Sequence, residues 1–521
     1  MTAASESTAP AAARRMPSLA RNVLWNWGTL VFTMAVQFVL SPFVVRSLGD
    51  TNYGIWVLLG SLVGYLGLLD LGVRGAVTRY VAKLHSEGAH GEAEKLVSTA
   101  LSIFSCMGLA AIALSTLAAL FAVPYFHLTP DYIPTARIVI ILGGITMAFT
   151  LVGACFGGII VALQRFDRLG QIEIGVGILR AVSVFVALEG GLGLVALAII
   201  QLAAALLRLT ASAWAAHSLY TNQRWRLGTW DPTALREIVS FSWSATLLMF
   251  AAQIVYYSDS VIVGAFLPVA FVTLFSIAST LIDYSRSVLR GVSTAIMPRT
   301  SALQMHGVGA VARATLSSAR IATLLILPIT ITFMFRGDHF IGLWMGPSYA
   351  ETSGRILTIL AYALSLMGAG QVLYAALLGL GRHKGLVPFN LAEAAVNVAL
   401  SVLLVRSVGL VGVAWAITLP NAFNSLVTLP WYAQRHLGIR WTDYYWSSWI
   451  RPMLSMVPFA AATILIERLW PASHMIGFFA GVAAALLVAA IGAWAFAMDP
   501  EERLAIRAAV HRRLVRVPAA L

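Results

Sequence analysis

Charged side chains are scarce in this chain: of its 521 residues only 11% are Asp, Glu, Lys or Arg. A soluble chain carries roughly 25%, so several water-facing globular domains are excluded. Cysteine is nearly absent. The two present, Cys106 and Cys155, lie inside apolar runs, which excludes a disulfide framework. The motifs of familiar chemistries are missing too. No HExxH or Cys/His cluster suggests a metal site, and no P-loop suggests nucleotide use. No Gly-x-Ser-x-Gly pattern suggests acyl transfer. No cofactor is called for, and the chain reads as a protein that is not an enzyme. Period-2 alternation is lacking as well, which argues against a membrane β-barrel.

Apolar residues are what is present. The AVILMFWYC set makes up 59% of the sequence and mean hydropathy is +0.82. At roughly 20 residues per helical span, that composition allows at most about fifteen spans. The apolar segments number about fourteen by the length criterion. The expected fold class is therefore an all-α polytopic membrane protein. The run after Arg21 is too long for a signal-peptide core and reads as an uncleaved first span.

Net charge is +13, from 35 basic and 22 acidic residues. With the amino terminus inside, most Lys and Arg fall on the cytoplasmic side, from Arg14, Arg15 and Arg21 through Arg299 and Arg320 to Arg512, Arg513 and Arg516. Arg46, Arg137, Arg336, Arg355, Arg406 and Arg468 fall outside. This is the positive-inside bias, with both termini cytoplasmic. It makes the surplus a record of orientation rather than a sign of nucleic acid. The tail from Asp499 reads either as a basic amphipathic helix on the inner leaflet or as a solvated helix end. The inner stretches 75–95 and 298–317 have room for short helices. Trp441 to Trp449 read as an interfacial aromatic belt.

A faint internal echo links Asp70-Leu-Gly-Val-Arg74-Gly75 in the second span with Asp283, Arg286 and Arg290-Gly291 in the eighth. It implies two pseudo-repeated six-helix bundles plus two extra helices. The boundaries are a tail at 1–21, bundles at 22–219 and 237–434 joined by a linker at 220–236, an appended pair at 435–497, and a basic tail at 498–521. Repeated bundles around a cavity are a transporter habit.

Ionisable groups inside a span cost several kcal/mol and should face protein or a wet cavity. Arg180 stands mid-segment, as either a buried ion-pair partner or an anion ligand. Asp283, Arg286 and Arg290 share one helix face; either they neutralise one another, or the acid takes up a coupling ion while the arginines hold an anion. Asp70 and Arg74 lie nearer the inner interface and read first as a structural pair. Asp259, among Tyr256, Tyr257, Ser258 and Ser260, is either an ion acceptor or a cap near the outer face. Arg208 and Glu393 read as reaching water. Guanidinium binds phosphate oxygens bidentately and stays charged when desolvated, so converging arginines suit a pyrophosphate head group. The polar uncharged Asn22, Asn26, Gln37 and Gln253 suit sugar hydroxyls or helix–helix hydrogen bonds.

The stretch Asn22–Lys83 resembles the start of the polysaccharide-transporter family, the O-antigen-type flippases of the multidrug/oligosaccharidyl-lipid/polysaccharide exporter superfamily. Leu48-Gly49, Tyr53-Gly54-Ile55-Trp56, Leu69-Asp70-Leu71-Gly72 and Thr78-Arg79-Tyr80-Val81-Ala82 carry the resemblance. It implies alternating access that moves a polyprenyl-pyrophosphate-linked oligosaccharide across the lipid bilayer for O-antigen, lipopolysaccharide or exopolysaccharide synthesis. Coupling would be to an ion, proton or sodium, and a glycan polymerase and chain-length proteins would be partners. On this reading Arg180, Arg286, Arg290, Arg74 and Asn26 bind substrate, and Asp283, Asp259 and Asp70 serve the coupling ion. A multidrug or small-cation antiporter is the alternative, although its relatives rely on an acid in the first span and Asn22–Val45 has none. A glycan polymerase or ligase is a further alternative; such enzymes need larger outer loops than this chain has.

Overall fold

The computed structural model describes residues 19–126, 128–220, 225–500, 502–504 and 507. The expected arginine-bearing amino-terminal tail and most of the expected carboxy-terminal amphipathic helix lie outside those residues. Among the described residues the chain is helical, with no strand. The first bundle comprises α1 (Leu19–Tyr65), the short α2 (Val73–Ser86), α3 (His90–Phe121), α4 (Ile133–Ala162), α5 (Phe166–Glu189) and α6 (Leu194–Leu219). The second comprises α7 (Pro232–Phe266), α8 (Ala270–Leu303), α9 (Val308–Trp344), α10 (Pro347–Gly379), α11 (Val387–Val408) and α12 (Leu410–Phe423), which continues through a π-turn into α13 (Leu429–Leu437). The appended pair is α14 (Trp441–Tyr445), α15 (Arg451–Ser455) and α16 (Val457–Leu469), forming one bent span, followed by α17 (Met475–Gly492).

Among the described residues twelve segments are long and apolar enough to cross a membrane, two fewer than the sequence suggests. The difference has two sources. Leu24–Ser86 counts as one segment, yet α1 is two helices meeting at Gly49, whose φ of 74° and ψ of 166° are not helical. A positive φ is cheap only for glycine, so the reversal is set by that residue. The other source is α8, which is 34 residues long but carries Asp283, Arg286 and Arg290, charges that make it less apolar than the other spans.

Helix α1 is a hairpin pressed against the α7–α8 hairpin. Near the turn, Gly54 lies so close to the Val269 carbonyl that no methyl would fit. The first arm runs beside α8 until Trp27 covers Gly291, and the second runs beside α7 past Tyr257 at Gly64 to Leu71, whose carbonyl accepts the Thr246 hydroxyl at 2.7 Å. The turn itself is gripped by the second bundle. Asp50 accepts the Tyr349 hydroxyl at 2.5 Å through its carboxylate and the Thr273 hydroxyl at 2.6 Å through its carbonyl. Trp344 donates its indole N–H to the Phe38 carbonyl at 2.9 Å and stacks on the Phe38 ring at 4.9 Å.

The linker is held by the first bundle. Ser98, Thr99 and Ser102, all buried on α3, accept the backbone N–H groups of Arg226, Asp231 and Gly228 at 3.0–3.1 Å. Asp231 then caps α7 by accepting the Ala234 N–H at 2.9 Å.

The appended pair is fastened by charge. Arg336, expected in an outer loop, is instead inside α9 and 1% exposed, paired with Glu467 of α16 and lying 4.3 Å over the Phe478 ring. His339 joins the same carboxylate and donates from Nε2 to the Ala472 carbonyl at 2.7 Å. Arg320, expected in an inner loop, is also buried in α9 and meets Asp499 at 2.5 Å and Glu502 at 2.6 Å. Burial alone would raise the Asp499 carboxyl, but its bonds to Arg451 and Arg320 hold it below the ordinary range. This contact is therefore complete at neutral pH and lost as pH falls through the depressed value. Of the expected aromatic belt, Tyr444 and Trp449 are core residues, whereas Trp446 faces outward.

Glu467→Ala leaves Arg336 buried without a counter-charge and is expected to cost about 3–5 kcal/mol. Thermal unfolding of the purified protein should show the loss, and the double variant Arg336→Met/Glu467→Leu should recover most of it. A single variant within about 0.5 kcal/mol of the parent, the size of an ordinary surface change, would refute the account.

Candidate functional site

The polar stripe of α8 is what its spacing predicts. Ser276, Ser279, Asp283, Arg286 and Arg290 recur every three or four residues and so share one face of the helix. Against this face lie two cavities. The larger, 340 Å³, is bounded by α7, α8, α10, α11 and the α12–α13 bend, with Tyr256, Arg286, Arg290, Asn390, Glu393 and Asn424 in its wall. The smaller, 160 Å³, lies between the bundles and is lined by Ser61 of α1 together with Asp259, Ser276, Ser279 and Asp283. Arg286 and Tyr256 belong to both walls.

Arg286 is the electrostatic centre. Its Nη1 lies 3.4 Å from Asp283, a loose contact, and its Nε is buried without a hydrogen-bond partner. Asp259, Asp283 and Glu393 all interact with its charge. Asp259 is 7% exposed with one carboxylate oxygen unpartnered, so it is a buried group inside α7 and not a cap. Arg290 is exposed and donates to Ser287 at 2.5 Å. Three carboxylates thus share two guanidinium groups, and one of those also faces open space.

The other expected site residues lie elsewhere. Arg180 lines a separate cavity of 120 Å³ in the first bundle, between α1, α5 and α6, sharing no lining residue with the other two. Asp70 accepts the Arg74 backbone N–H at 3.2 Å, while the Arg74 guanidinium lies against Gly157 of α4. That arrangement organises the start of α2. Asn26 is exposed on α1.

Glu393 belongs to the large cavity, contrary to its reading as a water-reaching residue. It accepts from Asn424 at 2.5 Å and from Asn421 at 3.4 Å. A signal was available in the repeat. Gly193-Leu194-Val195 opens α6 as Gly409-Leu410-Val411 opens α12, and from that register Arg208 and Asn424 are equivalent. Glu173 and Glu393 lie at matching depth in α5 and α11. In the first bundle the acid meets an arginine, Glu173 to Arg208 at 3.0 Å. In the second it meets only amides, so its counter-charge must come from Arg286 across the cavity.

Comparisons with known proteins agree with this architecture. The family model described as "Polysaccharide biosynthesis protein" matches residues 19–304. A Shigella flexneri protein assigned as an O-antigen transporter is 22% identical over 423 residues, covering 77% of this chain and 94% of the relative. A Haloferax volcanii protein assigned as a low-salt glycan biosynthesis flippase is 23% identical over 416 residues, covering 78% and 82%. Among solved structures, the lipid II flippase MurJ in an inward closed conformation superposes with a TM-score of 0.72 at 14% identity, covering 91% of this chain and 98% of that one. At such identity the likeness is one of fold.

Asn424→Arg recreates in the second bundle the pair found in the first. It is expected to raise stability by about 1 kcal/mol or less, and Arg208→Asn to lower it by a similar amount, the scale of a partly exposed pair. Thermal unfolding of both variants is the check. A destabilised Asn424→Arg would show that Glu393 has no unmet demand for positive charge.

Proposed function

The chain belongs to the polysaccharide biosynthesis protein family, and from that premise we propose that it is a flippase for polyprenyl-diphosphate-linked oligosaccharide. It carries the glycan from the inner to the outer leaflet of the cytoplasmic membrane by alternating access, and its termini are cytoplasmic. The observation that carries this reading is the pair of arginines, Arg286 and Arg290, on one face of a membrane helix against a 340 Å³ cavity.

Each step rests on charge. Arg290, exposed at the cavity mouth, meets the diphosphate first, and Arg286 completes the bidentate grip in a drier setting where it is stronger. Asn390, Asn421 and Asn424 supply amides to the sugar nearest the diphosphate. Since Arg286 is the shared counter-charge of Asp259, Asp283 and Glu393, a diphosphate that engages it withdraws charge from the acids. Occupancy of the head group and uptake of a proton or sodium ion at the carboxylates are thereby coupled through one guanidinium. Asp70 and Arg74 organise the start of α2, Asn26 lies exposed on α1, and none of the three enters this cycle. The grip on Asp50 by Tyr349 and Thr273 keeps the Gly49 end shut, which supports an inward-oriented resting state.

Arg286→Gln and Arg290→Gln are each expected to lower glycan export by about 10- to 100-fold, the equivalent of one lost charge-assisted hydrogen bond. Membrane abundance should stay normal while lipid-linked sugar accumulates in the inner leaflet. Normal surface polysaccharide from the double variant would remove this cavity from the transport path.

A further inference from the structure

Arg180 is left over from that account. It sits mid-membrane in α5, half-buried, and its hydrogen bond is to the Gln201 side-chain oxygen at 3.3 Å. Glu173, the acid nearest to it on the same helix face, is already joined to Arg208 at 3.0 Å. The three groups therefore carry one net positive charge at membrane depth. A guanidinium has five N–H donors, and one amide oxygen does not occupy them. A residue that served only to tie α5 to α6 would not need a cavity in front of it, yet Arg180 faces one of 120 Å³.

The walls of that cavity combine polar and apolar groups. Around Arg180, Gln37 and Gln201 present amides, Ser41 a hydroxyl, and Trp56 and Tyr53 aromatic surface, while four aliphatic side chains complete the lining. A single cation, hydrogen-bonding amides and an indole face are the groups that a pyranose ring bearing a carboxylate requires. The carboxylate pairs with the planar guanidinium, the amides meet hydroxyls, and the indole covers the apolar ring face. A diphosphate fits less well, since one guanidinium faces its two charged groups and Arg208 is engaged.

Depth separates the two sites. Arg180 is nine residues from the Gly49-side end of α5, about 14 Å, whereas Arg286 and Arg290 are about 24 and 30 Å down α8 from the same side. A glycan whose diphosphate rests at Arg286 and Arg290 covers the intervening depth, about 10 to 16 Å, with its first few sugars. We infer that the Arg180 cavity is a recognition site for an acidic sugar near the reducing end of the transported glycan, distinct from the head-group site. The inference rests on the flippase reading for its substrate, but its chemistry is testable without transport.

The experiment uses the full chain in lipid nanodiscs, with Ser41→Cys as reporter in a Cys106→Ser background, and follows the rate of maleimide labelling. A glucuronate-containing disaccharide is expected to slow labelling several-fold. The corresponding glucose disaccharide and inorganic pyrophosphate should leave it unchanged, and Arg180→Gln should abolish the protection. Protection absent, equal for both sugars, or surviving Arg180→Gln overturns the inference. Protection by pyrophosphate alone also overturns it, returning Arg180 to the head group. Normal export by the Arg286→Gln/Arg290→Gln variant would instead defeat the flippase reading and leave the labelling result standing.

Discussion

A guanidinium inside a bilayer cannot shed its proton and cannot stay alone; it must have an anion, a dipole or water within reach. The second bundle is built around that constraint at Arg286. The stripe on α8, the acids on α7, α8 and α11 that share its charge, and the two cavities that meet at its side chain follow from one residue that needs partners on every side. The same rule explains Arg336 and Arg320, which sit deep in α9 because Glu467 of α16 and, beyond α17, Asp499 and Glu502 come to them. Arginine does two jobs in this molecule. Closely paired with a carboxylate, as Arg336 and Arg320 are, it joins helices; loosely paired, as Arg286 is, it lines a cavity.

Much of the architecture was legible in composition because lipid leaves so few alternatives. Without water to satisfy backbone groups, a long apolar run must be helical. What composition missed was where charge offsets hydropathy. Arg336 and Arg320 read as loop residues because a window that includes an arginine scores as an end, whereas in the fold a partner more than a hundred residues away brings the charge inside. Tyr444 and Trp449 misled in the opposite sense: an aromatic cluster looks interfacial until packing shows which rings point inward.

The site was legible in part for the same reason. Asp283, Arg286 and Arg290 share a face by helical spacing alone, so their convergence followed from the sequence. Arg180 could not be assigned to them or away from them, because that depends on how bundles pack. Glu393 was dismissed for lying near a helix end, and only the comparison of α5–α6 with α11–α12 reveals that its expected arginine has become Asn424. The repeat is informative because it is imperfect. Its symmetric parts hold the fold, and its broken pair marks where the two halves differ in charge.

The two hairpins of α1 and α7–α8 also have a mechanical consequence. Both turn at the same end, where Asp50, Thr273 and Tyr349 fasten them, so any tilt of their free arms would pivot about a common fulcrum. Helix α8 is 34 residues, about 50 Å long, and each degree of tilt about the fastened end displaces the far end by about 0.9 Å. Ten degrees moves it about 9 Å, close to the width of a helix. A lever of this length converts sub-ångström adjustments at the fulcrum into an aperture at the opposite face.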